Sequence, residues 1–411
     1  MRILFIVPYV PSRIRVRSYC LLKSMVERGH QVTLATLWST AAERDKLVSL
    51  EKLGLEVLAQ PLTRFGSLSN CLRALPTSMP LQAVYCWQPR LQEALDTLVK
   101  TRHFDVIHVE HLRGARYGLS LAQRDFPVVW DSVDCISHLF EQSVVHSRTI
   151  FGQWITRLEL GRTRDYEGWL VNQFQEVLVT SAVDKKALAQ LAFYPNPKRE
   201  SVNPSKINVL PNGVDQAYFK PNGQSAAAES LVFSGKMSYH ANVTMAMHLV
   251  QDIMPHVWAE RPTVKVAIVG QNPPRSIRKL EQDPRVTVPG YVPDIRPYLQ
   301  QATAAVVPAL YGAGIQNKVL EAMACATPVV ATESALSALN LKPEFDVLVA
   351  NETEAFAQQV LRLLADSNLR QAIGSRGLEY VRRNHLWSKI GADLEAIYQA
   401  LIENHNRVTK Q

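Results

Sequence analysis

No apolar run in this 411-residue chain approaches the roughly 18 to 20 residues that a helical bilayer crossing needs, so the sequence reads as one that does not span a membrane. The five cysteines (Cys20, Cys71, Cys86, Cys135 and Cys325) are odd in number, widely spaced and contain no CxxC pair. That pattern argues against a disulfide framework or a zinc cage, and a reducing cytoplasm is the simpler expectation. Nothing has the aromatic interleaving or motif of a nucleic-acid module, so no nucleic-acid partner is expected. No Ser-His-Asp order and no zincin signature occurs. The opening MRILFIV lacks the form of a leader peptide, because its apolar run stops at Pro8 without a cleavage-like site and Arg13, Arg15 and Arg17 follow. It reads as a buried first strand.

What the chain does have is the composition of a globular protein, 47% hydrophobic and 20% charged, at a length that one core seldom organises. Two domains are expected. The formal net charge is +8, and the excess is concentrated early, with 26 basic against 19 acidic residues up to Lys206. Such an excess suits an anionic partner, a phospholipid surface or a phosphate-bearing acceptor, and equally suits a solvated surface of scattered charge.

Short apolar runs alternate with helix-sized segments. ILFIV, QVTLATL, DVIHV, PVVWD and VLVTS come in the first half, with a helix near Ser18 to Glu27; LVFSG, VKVAIVG, RVTVPG, AAVVPAL, TPVVAT and DVLVA come in the second. This is the pattern of parallel strands joined by crossover helices. Leu62 to Pro89, proline-bearing and weakly periodic, reads as an irregular excursion, and Phe140 to Asn172 as a long amphipathic helix. The first domain is expected to end at INVLPNGVD, with a linker over PNGQSAAAES, and the chain beyond Glu352 to be almost entirely helical.

The most informative stretch is YGAGIQNKVLEAMACATPVV, Tyr311 to Val330. A glycine-bearing loop leads into a helix that opens with Gln316, Asn317 and Lys318, and Glu321 follows one turn later on the same side. Unpaired N–H groups at a helix start favour negative charge, and loop glycines let a backbone approach a ligand, so this segment suits a diphosphate. A carboxylate at Glu321 is placed to accept hydrogen bonds from ribose hydroxyls.

EAMACATPVV resembles the EAMAxGxPVV element of the GT-B glycosyltransferases, particularly the large retaining family 4. The longer GIQNKVLEAMA, preceded by VPDIRPYL, resembles a branch associated with PEP-CTERM/exosortase exopolysaccharide systems. The resemblance implies an α/β GT-B fold, two Rossmann-like doubly wound domains facing across a cleft. Expected limits are 1–215 for an acceptor-binding domain, 216–385 for a nucleotide-sugar domain and 386–411 for a helix crossing back. It also implies that Gly235 and Lys236 form a diphosphate-binding pair, that Tyr291 and Val292 meet the nucleobase, and that Gly314 and Ile315 join Gln316 and Asn317 around the donor. Lys236 is otherwise a surface lysine and Tyr291 otherwise packing. Gly270 ends another strand, as a donor contact or an ordinary turn glycine. The chain departs from the family twice: Ala313 stands eight residues before Glu321 where a donor-binding Glu is common, and Ala241 and Asn242 stand where a second lysine is usual.

In the first half, Arg13 and Arg17 lie after the first strand and are candidates to hold a phosphate, since guanidinium pairs with phosphate oxygens in bidentate fashion. By register with the family, Glu110 replaces a histidine that contacts the donor hexose, with His111 adjacent; either is equally a structural residue. Asp131 and Asp134 are candidates to orient an acceptor hydroxyl, or serve as a cap or turn. They form no DxD metal motif. The expectation is a retaining, metal-independent hexosyltransferase with no cofactor beyond a nucleotide-sugar donor, UDP foremost. Its acceptor is a hydroxyl, with a lipid-linked one among the expectations, and its place is cytoplasmic, at most peripheral at the inner face of the membrane. A UDP-N-acetylglucosamine 2-epimerase and an inactive nucleotide-sugar-binding protein are the alternatives.

Overall fold

The computed structural model describes residues 1–12, 15–146, 150–191, 204–223, 229–237, 239–311 and 314–408, side chains of 143–156 and 408 excepted. The chain divides into two compact units, Met1–Pro211 with Trp387–Gln411, and Asn212–Leu386. The division therefore falls four residues before the expected Asp215, and residues 224–228 of the expected PNGQSAAAES linker lie outside the described residues.

The first unit holds seven parallel strands: β1 Arg2–Val7, β2 Gln31–Trp38, β3 Glu56–Pro61, β4 Val106–Glu110, β5 Val128–Val133, β6 Glu176–Val179 and β7 Ile207–Val209. Their order is β3-β2-β1-β4-β5-β6-β7. In β1, alternate residues serve opposite layers, Leu4 and Ile6 one, Ile3, Phe5 and Val7 the other, as a sheet covered on both faces requires. The strand over Glu56–Pro61 was not among the expected ones. Leu62 to Pro89 is a correction, because helices Arg64–Ala74 and Leu81–Tyr85 occupy much of it. The expected long helix corresponds to helices Ile136–His146 and Ile150–Gln173.

The helix Trp387–Val408 belongs to the first unit and lies against helix Val16–Glu27. Contact is close at Gly391, where a Cβ would sit 1.8 Å from Ser24 Oγ, so only glycine admits this approach. The ion pair of Arg28 with Glu395 fastens the rim of the same contact.

The second unit has six parallel strands, β8 Ser230–Ser234, β9 Lys265–Val269, β10 Val286–Gly290, β11 Ala304–Val307, β12 Val329–Ala331 and β13 Leu348–Val349, in the order β10-β9-β8-β11-β12-β13. In each sheet the order reverses beside the first strand, between β1 and β4 and between β8 and β11. In open α/β sheets ligands bind beyond the carboxyl ends of strands at such a reversal. The loops that follow β1, β4 and β5, and those that follow β8, β9 and β11, are therefore the ones that position a site.

Candidate functional site

In the second unit, β8 runs directly into Gly235 and Lys236. The Gly235 N–H donates to Val269 O at 3.0 Å, and a Cβ on Gly270 would lie 1.7 Å from Gly235 O. A Cβ on Gly235 would itself meet Asn242 Nδ2 at 2.8 Å. Both glycines are thus required by close approach, and Gly270 is more than an ordinary turn residue.

Asn242, on helix His240–His248, joins two parts of the segment. Its Nδ2 donates to Lys236 O at 2.9 Å, and its Oδ1 accepts from Lys318 Nζ at 2.6 Å. Asn242, one of the two residues standing where a second lysine is expected from the resemblance, therefore holds Lys318, the cation on the neighbouring helix Asn317–Ala324. The ammonium also lies 4.5 Å from the centre of the Phe233 ring. Lys318 is buried, and burial lowers it to about 7, with Glu321 opposing the shift. Glu321 is raised to about 7, again by burial, with Lys318 pulling it back. Lys236 is exposed.

Around these groups, Gly314 takes a left-handed φ of 65° and Gln316 begins the helix without a side-chain cap. The Val319 N–H is taken by Gln316 O at 2.9 Å, while Asn317 and Lys318, the first two helical residues, lie too early in the helix for an intrahelical acceptor, which suits their N–H groups to an anion. Asn317 Oδ1 accepts from Asn212 Nδ2 at 3.2 Å, and Ile315 is buried in the core. Tyr291 follows Gly290 and is 63% exposed, which corrects the packing alternative and leaves its ring face available for stacking. Val292 packs against the core. Ala313 lies outside the described residues, and so does Arg13.

The first unit assembles a different set of groups. Asp131 is fully buried and accepts from Arg17 Nε at 2.8 Å and from Val133 N at 3.1 Å, with His108 Nε2 3.5 Å away. Arg17 also donates to Leu210 O at 2.9 Å. His108 stacks on Phe5 and shares a 2.8 Å hydrogen bond between its Nδ1 and the Tyr398 hydroxyl. Burial pushes the Asp131 carboxyl up, but Arg17 and His108 reverse this and hold it at about 2. Burial keeps His108 below the ordinary histidine range although Asp131 favours its protonation.

Arg17 and Asp131, expected to meet a phosphate and an acceptor hydroxyl, are placed against each other, both buried, with Arg17 also on backbone carbonyl oxygen. Asp134 is likewise engaged, accepting from Thr180 Oγ1 at 3.0 Å. Burial and the nearby Asp184 raise it to about 7. Glu110 is buried and takes a hydrogen bond from the Tyr9 hydroxyl; burial and Asp131 raise it to about 7.

His111 keeps a different character. It opens helix His111–Ala122 at a left-handed φ of 68°, partly exposed, and burial with Arg113 lowers it to about 3, so the imidazole is neutral at neutral pH. Val133, at φ 69°, is a sharper exception for a β-branched residue, and its N–H bond to Asp131 holds it. Both deviations sit at carboxyl ends of strands, where backbone strain collects near function. Sequence reasoning missed Asn242 as a ligand of Lys318, and it missed Glu167, which accepts from Ile136 N and Ser137 N at a helix start.

Two family models match the chain, Glycosyl transferase 4-like domain over residues 14–213 and Glycosyl transferases group 1 over residues 228–366. A glycosyl transferase 4-like domain followed by a group 1 glycosyltransferase domain makes this chain a glycosyltransferase. Among curated proteins it is similar to the GDP-mannose-dependent monoacylated alpha-(1-6)-phosphatidylinositol monomannoside mannosyltransferase of Corynebacterium glutamicum. The identity is 28% over 211 residues, 46% of this chain and 55% of the relative, so the match spans about half of each. Among solved structures it is similar to sucrose-phosphate synthase from Thermosynechococcus elongatus, with a TM-score of 0.69 and 17% identity over 98% of this chain and 100% of that one. Anabaena Alr3699/HepE in complex with UDP and glucose matches with a TM-score of 0.67 and 16% identity over 97% and 99%. At such identities these structures speak for the fold, and the two Rossmann-like parallel sheets are those of a GT-B glycosyltransferase.

Proposed function

We propose that this glycosyltransferase moves a hexosyl unit from a nucleoside-diphosphate sugar to a hydroxyl acceptor, with retention of anomeric configuration and with no cofactor beyond the donor. The observation that carries this reading is Lys318, buried and held by Asn242 at 2.6 Å beside the opening of helix Asn317–Ala324. Negative charge develops on the departing β-phosphate, and an ammonium with helix N–H groups fixed in place stabilises it without reorganisation. Gly235, Gly270 and Gly314 let the backbone come close, Glu321 accepts from the ribose, and Tyr291 stacks on the base. In a front-face displacement the leaving phosphate takes the acceptor proton, so the chemistry needs no dedicated base. The cationic work belongs to Lys318, supplemented by the exposed Lys236.

In the first unit, His111 is the group best placed by its exposure and conformation to meet a substrate hydroxyl. The acceptor is read as lipid-linked, at the inner face of the membrane, in exopolysaccharide or glycolipid synthesis within the PEP-CTERM-associated branch. The phosphatidylinositol mannoside named for the Corynebacterium relative supports a lipid-linked acceptor. The UDP and glucose named for the Anabaena structure support UDP, whereas GDP-mannose in the relative's name makes GDP the competing choice.

Calorimetry and thermal shift with UDP, GDP and their sugars test the reading, because a ligand held by the folded state alone raises its melting temperature. A nucleotide-sugar that stabilises the protein and yields free nucleotide only when an acceptor is present is the expected result. Conversion of the sugar without acceptor would replace the reading by an epimerase, and tight binding without turnover on a broad acceptor panel by an inactive binding protein.

A further inference from the structure

Helix Arg64–Ala74 has its apolar side facing out. Ser67 and Ala74 are buried and Asn70 donates through Nδ2 to Trp87 O at 2.8 Å, so small and polar residues face the protein. Outward stand Phe65, 83% exposed, Leu68, 58%, Leu72, 57%, and, just past the helix end, Leu75, 48%. At about 100° per residue these four fall within an arc of about 80°. Exposed apolar residues are ordinary when scattered, but a continuous stripe of large ones marks a surface that is covered in use.

The charges beside the stripe indicate what covers it. Arg64 and Arg73 are exposed at the two ends of the helix, and no Asp or Glu occurs in the sequence between Glu56 and Glu93. The neighbouring helix Leu81–Tyr85 ends in Tyr85, 42% exposed, with the Arg113 guanidinium 5.5 Å from its ring. A second copy docked on the same face would set these arginines against their equivalents. An anionic headgroup layer neutralises them, while the acyl boundary receives the stripe.

The arginines that follow the first strand do not supply such a surface. Arg17 is buried against Asp131, and Arg15 pairs with Glu43 at 3.3 Å. We propose that the face formed by Phe65, Leu68, Leu72 and Leu75, bracketed by Arg64 and Arg73, docks the protein on an anionic phospholipid bilayer. This deepens the reading of a lipid-linked acceptor and rests on it for its purpose, but the docking is independent of the donor chemistry.

Co-sedimentation with vesicles of phosphatidylcholine alone, and of phosphatidylcholine with phosphatidylglycerol, tests it on the full chain. The protein is expected to bind the anionic vesicles, and to bind less as salt rises. A Phe65→Ser, Leu68→Ser, Leu72→Ser variant is expected to lose about tenfold or more of that affinity, since each side chain forfeits its burial. An Arg64→Gln, Arg73→Gln variant should lose roughly fivefold per arginine and show a flatter salt dependence. Because all five positions are exposed, melting temperatures should stay at the parent value. Equal binding by the serine variant, no binding to anionic vesicles at low salt, equal binding to both vesicle types, or a dimer in solution that the serine variant abolishes would each overturn the proposal. Nucleotide-sugar affinity measured in parallel separates the two readings: vesicle binding without nucleotide binding leaves the docking standing and removes the donor assignment.

Discussion

The two units handle buried charge in opposite ways. In the first, Arg17 donates to Asp131 and to the Leu210 carbonyl, His108 Nε2 lies 3.5 Å from the same carboxylate, and the Tyr398 hydroxyl bonds the other side of the imidazole. The carboxylate is held at about 2, well into the charged form. In the second, Lys318 and Glu321 are drawn from opposite directions to about 7, and the ammonium's hydrogen bond goes to a neutral amide. A charge that is fully paired contributes to structure and has little left for a ligand. A cation lowered by burial and left near an uncapped helix start gains most when an anion arrives, the condition under which perturbed groups mark functional sites.

The largest effect is expected where the paired network is opened. Arg17→Met leaves the Asp131 carboxylate buried with His108 and the Val133 N–H but no cation held against it, and removing one partner of such a pair costs about 3–5 kcal/mol. Denaturant unfolding should show this loss, with nucleotide affinity unchanged. The pH profile sharpens it. Asp131 lies below its ordinary 3.8 when folded, so the stability it contributes is complete above that value and lost as pH falls through about 2. The variant should lose that acid dependence. A stability equal to the parent's would mean that the two units are not different in the sense argued.

Next in size is Lys318→Ala. If this ammonium meets the departing diphosphate, turnover should fall by about a hundredfold or more, since one such contact is typically worth a few kcal/mol. Removing a lysine whose charge burial already opposes should leave the melting temperature close to the parent's. Steady-state kinetics on the folded variant give the answer, and unchanged turnover would place the charge stabilisation elsewhere.

The contrast between units also explains what the sequence could and could not disclose. The parallel sheets were legible because ILFIV, VKVAIVG and AAVVPAL are continuous apolar runs of strand length between helix-sized segments. Glu56–Pro61 was not, because EVLAQP is only partly buried and lacks such a run. Helix Arg64–Ala74 escaped notice for a related reason: its apolar stripe points outward, whereas periodicity is ordinarily read as burial. At the site, Lys318 and Glu321 stood out because loop, helix start and carboxylate are contiguous. Arg17 and Asp131 are 114 residues apart, and no spacing announces that a cation on a helix neutralises an anion on a strand. Asn242 appeared only as the absence of a lysine, and its bond to Lys318 spans 76 positions.

The smallest and most discriminating effect concerns the balance between Lys318 and Glu321. A nucleotide sugar does not titrate near neutrality, since both phosphates of its diphosphate are esterified, so pH changes in its affinity report on the protein. Above pH 7 the free protein carries Lys318 increasingly neutral, and binding the diphosphate must take up a proton; affinity should fall as pH rises. Below 7 Glu321 is increasingly protonated, and accepting from ribose hydroxyls must release a proton; affinity should fall on that side as well. Each limb is bounded by about tenfold per pH unit, the equivalent of one unit of pKa difference. The resulting maximum lies near 7, where both groups are placed by burial. Glu321→Gln should lower affinity several-fold at pH 8, where the parent carboxylate is charged, and less at pH 6, where it is already protonated. The acid limb should disappear. The alkaline limb should move to lower pH, because Lys318 loses the neighbour that raises it. Calorimetric titration across pH 6 to 9 reads all of this, and an acid limb that persists in Glu321→Gln would assign the acid-side titration to another group and remove Glu321 from the ribose.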